Sequence, residues 1–132
     1  MDIRPVTDTF AVSPQIEVGD LDTVAAAGYQ TIICNRPDDE EPGQPAIAAV
    51  TARSEELGMA VHFIPIASGM FGPQHVAQMA EAVSNAEGKV LAYCRSGTRS
   101  IMLWAFNEVR HRPRDEVLEL TSKAGYDLSQ QL

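Results

Sequence analysis

Apolar and polar residues follow two different periods along the chain, and the period changes at regular intervals. Short runs of β-branched and other apolar residues predict strands at 9–12, 15–18, 29–34, 59–64 and 89–93. Between most of them, apolar residues recur every three to four positions and predict helices at 21–27, 46–57, 73–87, 100–111 and 115–124. Gly28, Gly58 and Gly125 stand where helices end, and Pro73 fits the first turn of a helix.

Strands that alternate with helices are joined by right-handed crossovers, which place the strands parallel in one sheet. We therefore predict an α/β fold of three layers, in which a mostly parallel central sheet is flanked by helices. The 132 residues contain no internal repeat or linker, and we expect one domain that spans residues 1–132. A hydrophobic fraction of 45% with 21% charged residues is typical of a globular chain rather than a disordered one.

Charge and composition narrow the classes of partner. Ten basic and eighteen acidic side chains give a net charge of −8, which argues against nucleic acid as a partner. No apolar run approaches the roughly 18 residues of a membrane span, and residues 1–5 do not resemble a signal peptide. Two cysteines are too few for a disulfide framework, so we expect a cytoplasmic location. Three scattered histidines give no metal-ligand spacing, and we expect neither a metal nor another cofactor.

Three irregular segments follow predicted strands, at the carboxyl ends where α/β proteins bind ligands. Segment 35–45 contains three prolines and four consecutive acidic residues. Its length in so small a domain suggests a function. Segment 65–72 contains no acidic residue. Segment 94–99, with the sequence Cys-Arg-Ser-Gly-Thr-Arg, lies between a predicted strand and a predicted helix.

Cys94 stands at the first position of segment 94–99 and is the candidate nucleophile. Backbone N–H groups in a short loop before a helix converge on one point and can bind an anion. Their dipoles, with a nearby cation, also favour the ionised form of a thiol placed there, which leaves a nucleophilic thiolate. The alternative is that Cys94 is only a small core residue at the end of a buried strand.

The other residues of the segment are candidates for binding the substrate. Gly97 permits a backbone conformation that other residues resist, so that Ser96, Gly97 and Thr98 can curl around a ligand. Arg99 can present a planar fork of donors to a bound oxyanion, and Arg95 adds a second cation.

Segment 93–100 resembles the active loop of single-domain rhodaneses, the sulfurtransferases that carry sulfur as a cysteine persulfide. The rest of the chain resembles a different family, on the segments 16–20, 26–29, 35–45 and 124–128. That family is the beta-lactamase hydrolase-like, phosphatase-like domain family. The resemblance covers residues from about 16 to 128 and implies a fold similar to that of dual-specificity and tyrosine phosphatases. It also implies that the hydroxyl of Ser100 steadies the Cys94 thiolate; the alternative is a helix N-cap.

Two departures from the tyrosine phosphatase pattern bear on the chemistry. Those loops have five residues between cysteine and arginine, whereas this chain has four, and a tighter ring suits a persulfide sulfur or thiosulfate better than tetrahedral phosphate. Phosphatases also use an aspartate to protonate the leaving oxygen, and segment 65–73 contains no acid. Thiols and sulfite leave without such an acid. We therefore expect sulfur transfer from thiosulfate or a small persulfide through a covalent cysteinyl intermediate. Hydrolysis of a phosphate ester (an aryl phosphate or phosphoprotein) is the alternative, and a non-catalytic anion- or persulfide-binding module is a third.

Five further residues are candidates for supporting roles. Arg36 either contacts the substrate from segment 35–45 or is solvated, and Glu40 and Glu41 either hydrogen-bond Arg99 or are solvated. His75 is the one candidate acid beside segment 65–72. Cys34 is either an inert buried thiol or a resolving partner for Cys94. In a sulfur-transfer reaction, a thiol acceptor or a redox partner protein would complete the cycle.

Overall fold

The computed structural model describes all 132 residues. The strands are β1 (Arg4–Pro5), β2 (Phe10–Ser13), β3 (Tyr29–Cys34), β4 (Ala60–Phe63) and β5 (Lys89–Tyr93). The helices are α1 (Leu21–Ala26), α2 (Ile47–Glu56), α3 (Pro73–Asn85), α4 (Thr98–Glu108) and α5 (Arg114–Lys123). The five strands form one sheet in the order β1-β2-β5-β3-β4. All its pairings are parallel except β1 with β2, so the predicted mostly parallel sheet is confirmed.

Two hydrophobic clusters cover the two faces of the sheet and give the fold its three layers. One contains buried side chains of α3, α4 and α5, including Met79, Ile101 and Val117. The other contains buried side chains of α1 and α2, including Leu21 and Val50. The central strands β3 and β5 are buried on both faces, which explains why they consist of nearly continuous apolar runs.

The register of the parallel strands brings their carboxyl ends to one edge of the sheet. Ser13 of β2 and Cys34 of β3 both pair with Tyr93 of β5, and Phe63 of β4 pairs with Cys34. The segments that follow these strands therefore begin side by side. Because β5 lies between β2 and β3, Cys94 enters this edge near its middle.

The predicted strand at 15–18 is wrong. Pro14 follows the end of β2, residues 14–17 form no strand, and Val18–Asp20 forms a single 3-10 turn. One backbone hydrogen bond, from the N–H of Gln15 to the carbonyl of Arg95 at 3.1 Å, connects this segment to segment 94–99. The apolar alternation there reflects Ile16, which is buried as an anchor in the core. Strand β1 was not predicted, because two residues carry no periodicity. None of the helices has the length and apolar character needed to cross a membrane.

Candidate active site

Segment 94–99 joins the central strand β5 to helix α4 and holds the Cys94 sulfur against the backbone. The N–H of Gly97 donates to Cys94 Sγ at 3.1 Å, and Cys94 is 0% exposed. Helix α4 begins at Thr98, two residues earlier than predicted. The sulfur therefore lies at the N-terminus of an eleven-residue helix, where the free N–H groups and the helix dipole favour negative charge.

Gly97 has a φ of 91°, in the left-handed region that favours glycine. A Cβ at this position would overlap the hydroxyl oxygen of Tyr126 and lie 3.3 Å from the carbonyl oxygen of Ser13. The Tyr126 hydroxyl itself donates to the carbonyl of Ser96 at 2.7 Å. Tyr126, which follows helix α5, thus contacts segment 94–99 at Ser96, and Gly97 leaves room for its hydroxyl.

Arg99 lies almost buried at the first turn of α4, with its guanidinium fixed by two partners. It makes a bidentate pair with Glu40, with Nη1 at 2.7 Å and Nη2 at 2.9 Å from the carboxylate oxygens. Nη1 also donates to the carbonyl of Ile66 at 2.8 Å. The hydrogen bond from Arg99 is the main cause that lowers the pKa of Glu40 to about 2, and the same bond raises the pKa of Arg99.

The contacts of Arg99 leave one edge of its guanidinium free. Both Nη1 hydrogens and one Nη2 hydrogen are used by Glu40 and Ile66, whereas Nε and the second Nη2 hydrogen bond no oxygen of the protein. These two N–H groups point in parallel, which is the geometry that binds two oxygens of one anion. After Glu40, Cys94 is among the groups that raise the pKa of Arg99, which places the arginine and the sulfur close together.

Five charged side chains form a continuous chain of ion pairs, in the order Arg99, Glu40, Arg36, Glu41 and Arg95. Arg36 donates from Nε to Glu40 at 2.8 Å and from Nη2 to Glu41 at 2.6 Å. Glu41 also pairs with Nε of Arg95 at 3.1 Å. We call these five residues the charge chain; it links the acidic segment 35–45 to both arginines of segment 94–99.

Arg36 is 3% exposed, so the interpretation as a solvated arginine is wrong. Its Nη1 donates to the side-chain oxygen of Gln15 at 3.0 Å, which gives all three nitrogens of the guanidinium a protein partner. Arg36 therefore positions the carboxylates of Glu40 and Glu41. Both glutamates contact segment 94–99: Glu40 binds Arg99, and Glu41 binds Arg95.

Short-range hydrogen bonds give the acidic segment its shape. Asp38 accepts the N–H of Ile47 at the start of α2, and Gln44 donates to the carbonyl of Pro37 at 2.8 Å. The side chain of Gln44 also accepts the N–H of Glu40 at 3.2 Å. These contacts fold the segment back on itself, and the fold turns Glu40 and Glu41 towards Arg99 and Arg95.

Ser100 is fully buried within α4, and its hydroxyl has no hydrogen-bond partner. The N-cap of the helix is Gly97, so the interpretation of Ser100 as an N-cap is wrong. Its hydroxyl makes no hydrogen bond to the Cys94 sulfur in this structure, and its catalytic role stays a prediction. A buried hydroxyl without a partner costs stability, which makes this residue a good subject for substitution.

Segment 65–72 contributes a backbone carbonyl rather than an acid. Asn35 connects the segment to the sheet, since its carbonyl accepts the N–H of Ile66 at 3.1 Å and its side chain donates to Ile64. The hydrogen bond to Asn35 fixes the position of Ile66, whose carbonyl accepts the hydrogen bond from Arg99. His75 accepts the N–H of Gly72 through Nδ1 at 3.0 Å, so this nitrogen caps α3.

The second cysteine, Cys34, lies at the end of β3 and is buried. Its thiol donates to the carbonyl of Arg36 at 3.3 Å, and burial raises its pKa. Both cysteines are free thiols. These contacts are those of an unreactive structural thiol; a role as resolving partner for Cys94 stays a prediction.

Three residues that contact the site were not among the candidates: Tyr126, Asn35 and Gln15. Tyr126 lies in segment 124–128, whose family resemblance was visible in the sequence, but nothing local connects it with Ser96 thirty positions earlier. Asn35 and Gln15 follow strand ends, which is the signal that could have found them.

Solved structures identify the fold of this chain. The structure of TpbA from P. aeruginosa with bound pTyr superposes with a TM-score of 0.70 at 16% identity, over 96% of this chain and 76% of that one. A likeness at this identity shows the fold, and the fold is that of the tyrosine phosphatase-like proteins. The chain belongs to the family described as beta-lactamase hydrolase-like protein, phosphatase-like domain, whose model matches residues 2–110. The family resemblance seen in the sequence is confirmed.

Two closer relatives agree with this assignment. The structure of nma1982, a proposed phosphatase from Neisseria meningitidis Z2491, has a TM-score of 0.88 at 35% identity and covers 98% of this chain and 93% of that one. The beta-lactamase hydrolase-like protein of Xylella fastidiosa (strain Temecula1) is 36% identical over 130 residues, which is 97% of this chain and 30% of that protein. The chain thus spans about a third of the length of this curated relative. The comparisons support the phosphatase-like alternative rather than the sulfur transfer that loop length favoured.

Proposed function

We propose that the chain hydrolyses phosphate monoesters, with Cys94 as the nucleophile and Arg99 as the residue that binds the phosphoryl oxygens. The observation that carries this proposal is the free edge of Arg99, two parallel N–H groups beside a sulfur that already accepts the N–H of Gly97. Membership of a phosphatase-like family supports it. The substrate would be a small anion, recognised at the N-terminus of α4.

The reaction would proceed in two displacements. The Cys94 thiolate attacks phosphorus, an S–P bond forms, and the P–O bond to the leaving group breaks with its electron pair on oxygen. Water then attacks the cysteinyl phosphate, which releases inorganic phosphate and a proton and restores the thiolate. In both steps Arg99 and the N–H groups of Ser96 and Thr98 would stabilise charge on the phosphoryl oxygens, with Arg95 as a second cation, while the N–H of Gly97 holds the sulfur.

The leaving group must depart with little help from the protein. Segment 65–72 has no acid, and Nδ1 of His75 already accepts a hydrogen bond. Glu40 has a pKa of about 2, so it is ionised at neutral pH and has no proton to donate. We therefore propose aryl phosphates as the preferred substrates, because a phenolate leaves more readily than an alkoxide.

Sulfur transfer is the second candidate function, favoured by the four-residue loop and the missing acid. The Cys94 thiolate would attack the outer sulfur of thiosulfate, with formation of one S–S bond, cleavage of another and departure of sulfite. A thiol acceptor, or cyanide in an assay, would then take the sulfur from the Cys94 persulfide.

One set of assays tests both candidates. The wild type and the variants Cys94→Ser and Cys34→Ser are compared for release of nitrophenol from para-nitrophenyl phosphate and for thiocyanate formation from thiosulfate and cyanide. We expect nitrophenol release that Cys94→Ser abolishes and Cys34→Ser retains. Thiocyanate formation alone, with the same dependence on Cys94, would replace the first proposal by the second. If neither product forms at micromolar enzyme concentration, the remaining hypothesis is that the chain is a non-catalytic anion-binding module.

The leaving group offers a second, independent test. For a series of substituted phenyl phosphates, the logarithm of kcat/KM should fall steeply as the pKa of the departing phenol rises, because no acid protonates the oxygen. A flat dependence would show that a proton donor is present and would contradict the proposed mechanism.

A further inference from the structure

A polar groove of about 350 Å³ lies beside segment 94–99. It is lined by Gln15, Glu17, Arg36, Glu41, Pro42, Gly43, Gln44, Pro45 and Arg95. Arg95 is the residue that follows Cys94, so the groove adjoins the loop that holds the nucleophile. Its volume is within the range of small-molecule sites.

The groove contains charged atoms that the protein does not use. Arg95 is 67% exposed and pairs with Glu41 through Nε alone, which leaves its two terminal nitrogens without a protein acceptor. Glu41 receives both Arg36 and Arg95 on Oε1, so its Oε2 accepts no hydrogen bond. A free cationic donor pair and a free carboxylate oxygen therefore stand on neighbouring side chains.

The carboxylate of Glu41 is held in place, unlike that of most exposed glutamates. Its partner Arg36 is buried and is fixed by Gln15 and Glu40, so the Arg36 guanidinium cannot follow a moving side chain. Glu17 adds a second negative side chain to the same groove. A site with charges of both signs favours a ligand that carries both signs, since each of its charges meets an opposite one.

The residues that line the groove do not favour binding of an apolar group. The groove has no aromatic or aliphatic side chain apart from two prolines, so the ring of an aromatic leaving group has no surface on which to stack. Selectivity must come from charged or polar groups attached to that ring.

We propose that this groove binds the leaving-group end of the substrate and that this end carries an ammonium and a carboxylate, as a free amino acid does. The carboxylate binds the terminal nitrogens of Arg95, and the ammonium binds Oε2 of Glu41. This inference rests on the proposed function, because it assumes that Cys94 and Arg99 hold the phosphoryl group of the same molecule.

Two ligands with the same aryl phosphate test the inference by binding, without turnover. O-phospho-L-tyrosine carries an amino-acid group, whereas 4-methylphenyl phosphate has a methyl group in its place. In the Cys94→Ser variant, which cannot react, we expect calorimetry to give a Kd about tenfold lower for phosphotyrosine, as two partly exposed ionic contacts would produce. Equal Kd values, or no binding of either ligand, would overturn the inference.

Substitutions in the groove then show which side chain binds the ammonium and which binds the carboxylate. Added to Cys94→Ser, Glu41→Gln should reduce the preference for phosphotyrosine over its N-acetyl derivative, which lacks the ammonium. Arg95→Gln should reduce the preference for phosphotyrosine over its amide, which lacks the carboxylate. Glu87→Gln and Arg110→Gln, exposed residues outside the groove, make the same chemical changes as controls. If the controls change the preferences as much as the groove variants do, the inference is wrong.

Hydrolysis by the wild type keeps the two proposals apart. Turnover of both aryl phosphates with equal Kd values would support the proposed function and overturn the amino-acid groove. A phosphotyrosine preference in binding without any turnover would support the groove and remove the proposed hydrolysis.

Discussion

Glu40 accepts two hydrogen bonds from Arg99, a residue 59 positions later in the chain, at 2.7 and 2.9 Å. This pair occupies one end of the Arg99 guanidinium and leaves the Nε edge for a ligand. The acidic segment 35–45 and segment 94–99 are therefore connected, and the Glu40 carboxylate determines the orientation of the Arg99 guanidinium.

We expect Glu40→Gln to lower kcat/KM for para-nitrophenyl phosphate by about 10- to 100-fold, because the amide cannot hold both arginine nitrogens. The loss should appear mainly as weaker phosphate binding, measured as inhibition by inorganic phosphate. Glu119→Gln, an exposed residue that pairs only with Lys123, serves as the control. Full activity in Glu40→Gln would show that Arg99 is positioned without its partner.

The same pair predicts a dependence of stability on pH. The folded pKa of Glu40 is about 2, below its usual value of 4.5, so the carboxylate stabilises the folded state above pH 4.5. This contribution is lost as the pH falls from 4.5 towards 2. In urea titrations at pH 6 and pH 3, Glu40→Gln should therefore lose less stability than the wild type. An equal loss in both proteins would contradict the lowered pKa.

Gly97→Ala should reduce the proposed hydrolysis of para-nitrophenyl phosphate by about 100-fold or more and destabilise the protein by about 1–3 kcal/mol. The alanine would bring both an unfavourable φ and an overlap with Tyr126. Gly58→Ala provides a matched control, since Gly58 has a φ of 80° but nothing within 4 Å of its added Cβ. The difference between the two unfolding free energies measures the overlap.

Tyr126→Phe should lower kcat/KM several-fold and stability by about 1 kcal/mol, because the loop loses one hydrogen bond at the Ser96 carbonyl. It should also partly relieve Gly97→Ala, since the atom that the alanine overlaps most is the hydroxyl that phenylalanine lacks. A double-mutant cycle measures this coupling. Additive effects would show that Tyr126 does not restrict the Gly97 position.

Ser100→Ala separates a catalytic role from a structural one. The hydroxyl has no hydrogen-bond partner, so its removal should leave the free energy of unfolding unchanged or slightly higher. If the hydroxyl steadies the Cys94 thiolate during the reaction, kcat should fall several-fold while KM stays the same. An unchanged kcat would show that the Ser100 hydroxyl has no catalytic role.

The parts of the fold that could be read from the sequence are those that local burial determines. Strands β3 and β5 have the predicted bounds because both are buried on two faces, which demands continuous apolar runs. Segment 94–99 was recognisable because its residue types and its position between strand and helix are all local. The alternation at 15–18 was misleading because one buried residue, Ile16, can anchor a segment that forms no strand.

The contacts that complete the site depend on tertiary structure. Arg36 was expected to be solvated, as most arginines are, and is buried only because segment 35–45 folds back over it. The contact of Tyr126 with Ser96 joins two segments that have no shared periodicity. Loop length and the missing acid favoured sulfur transfer over phosphoryl transfer. The comparison with relatives, rather than any residue pattern, favours the phosphatase-like alternative.

The placement of Tyr126 has a practical consequence for where a functional unit may be cut. The match to the family model stops at residue 110, after segment 94–99 but before Tyr126, whose hydroxyl bonds the Ser96 carbonyl. A fragment ending there would also lose Val117 and Leu128 from the interior. Any shortened or transplanted version of this site must include the last helix and the tail as integral parts.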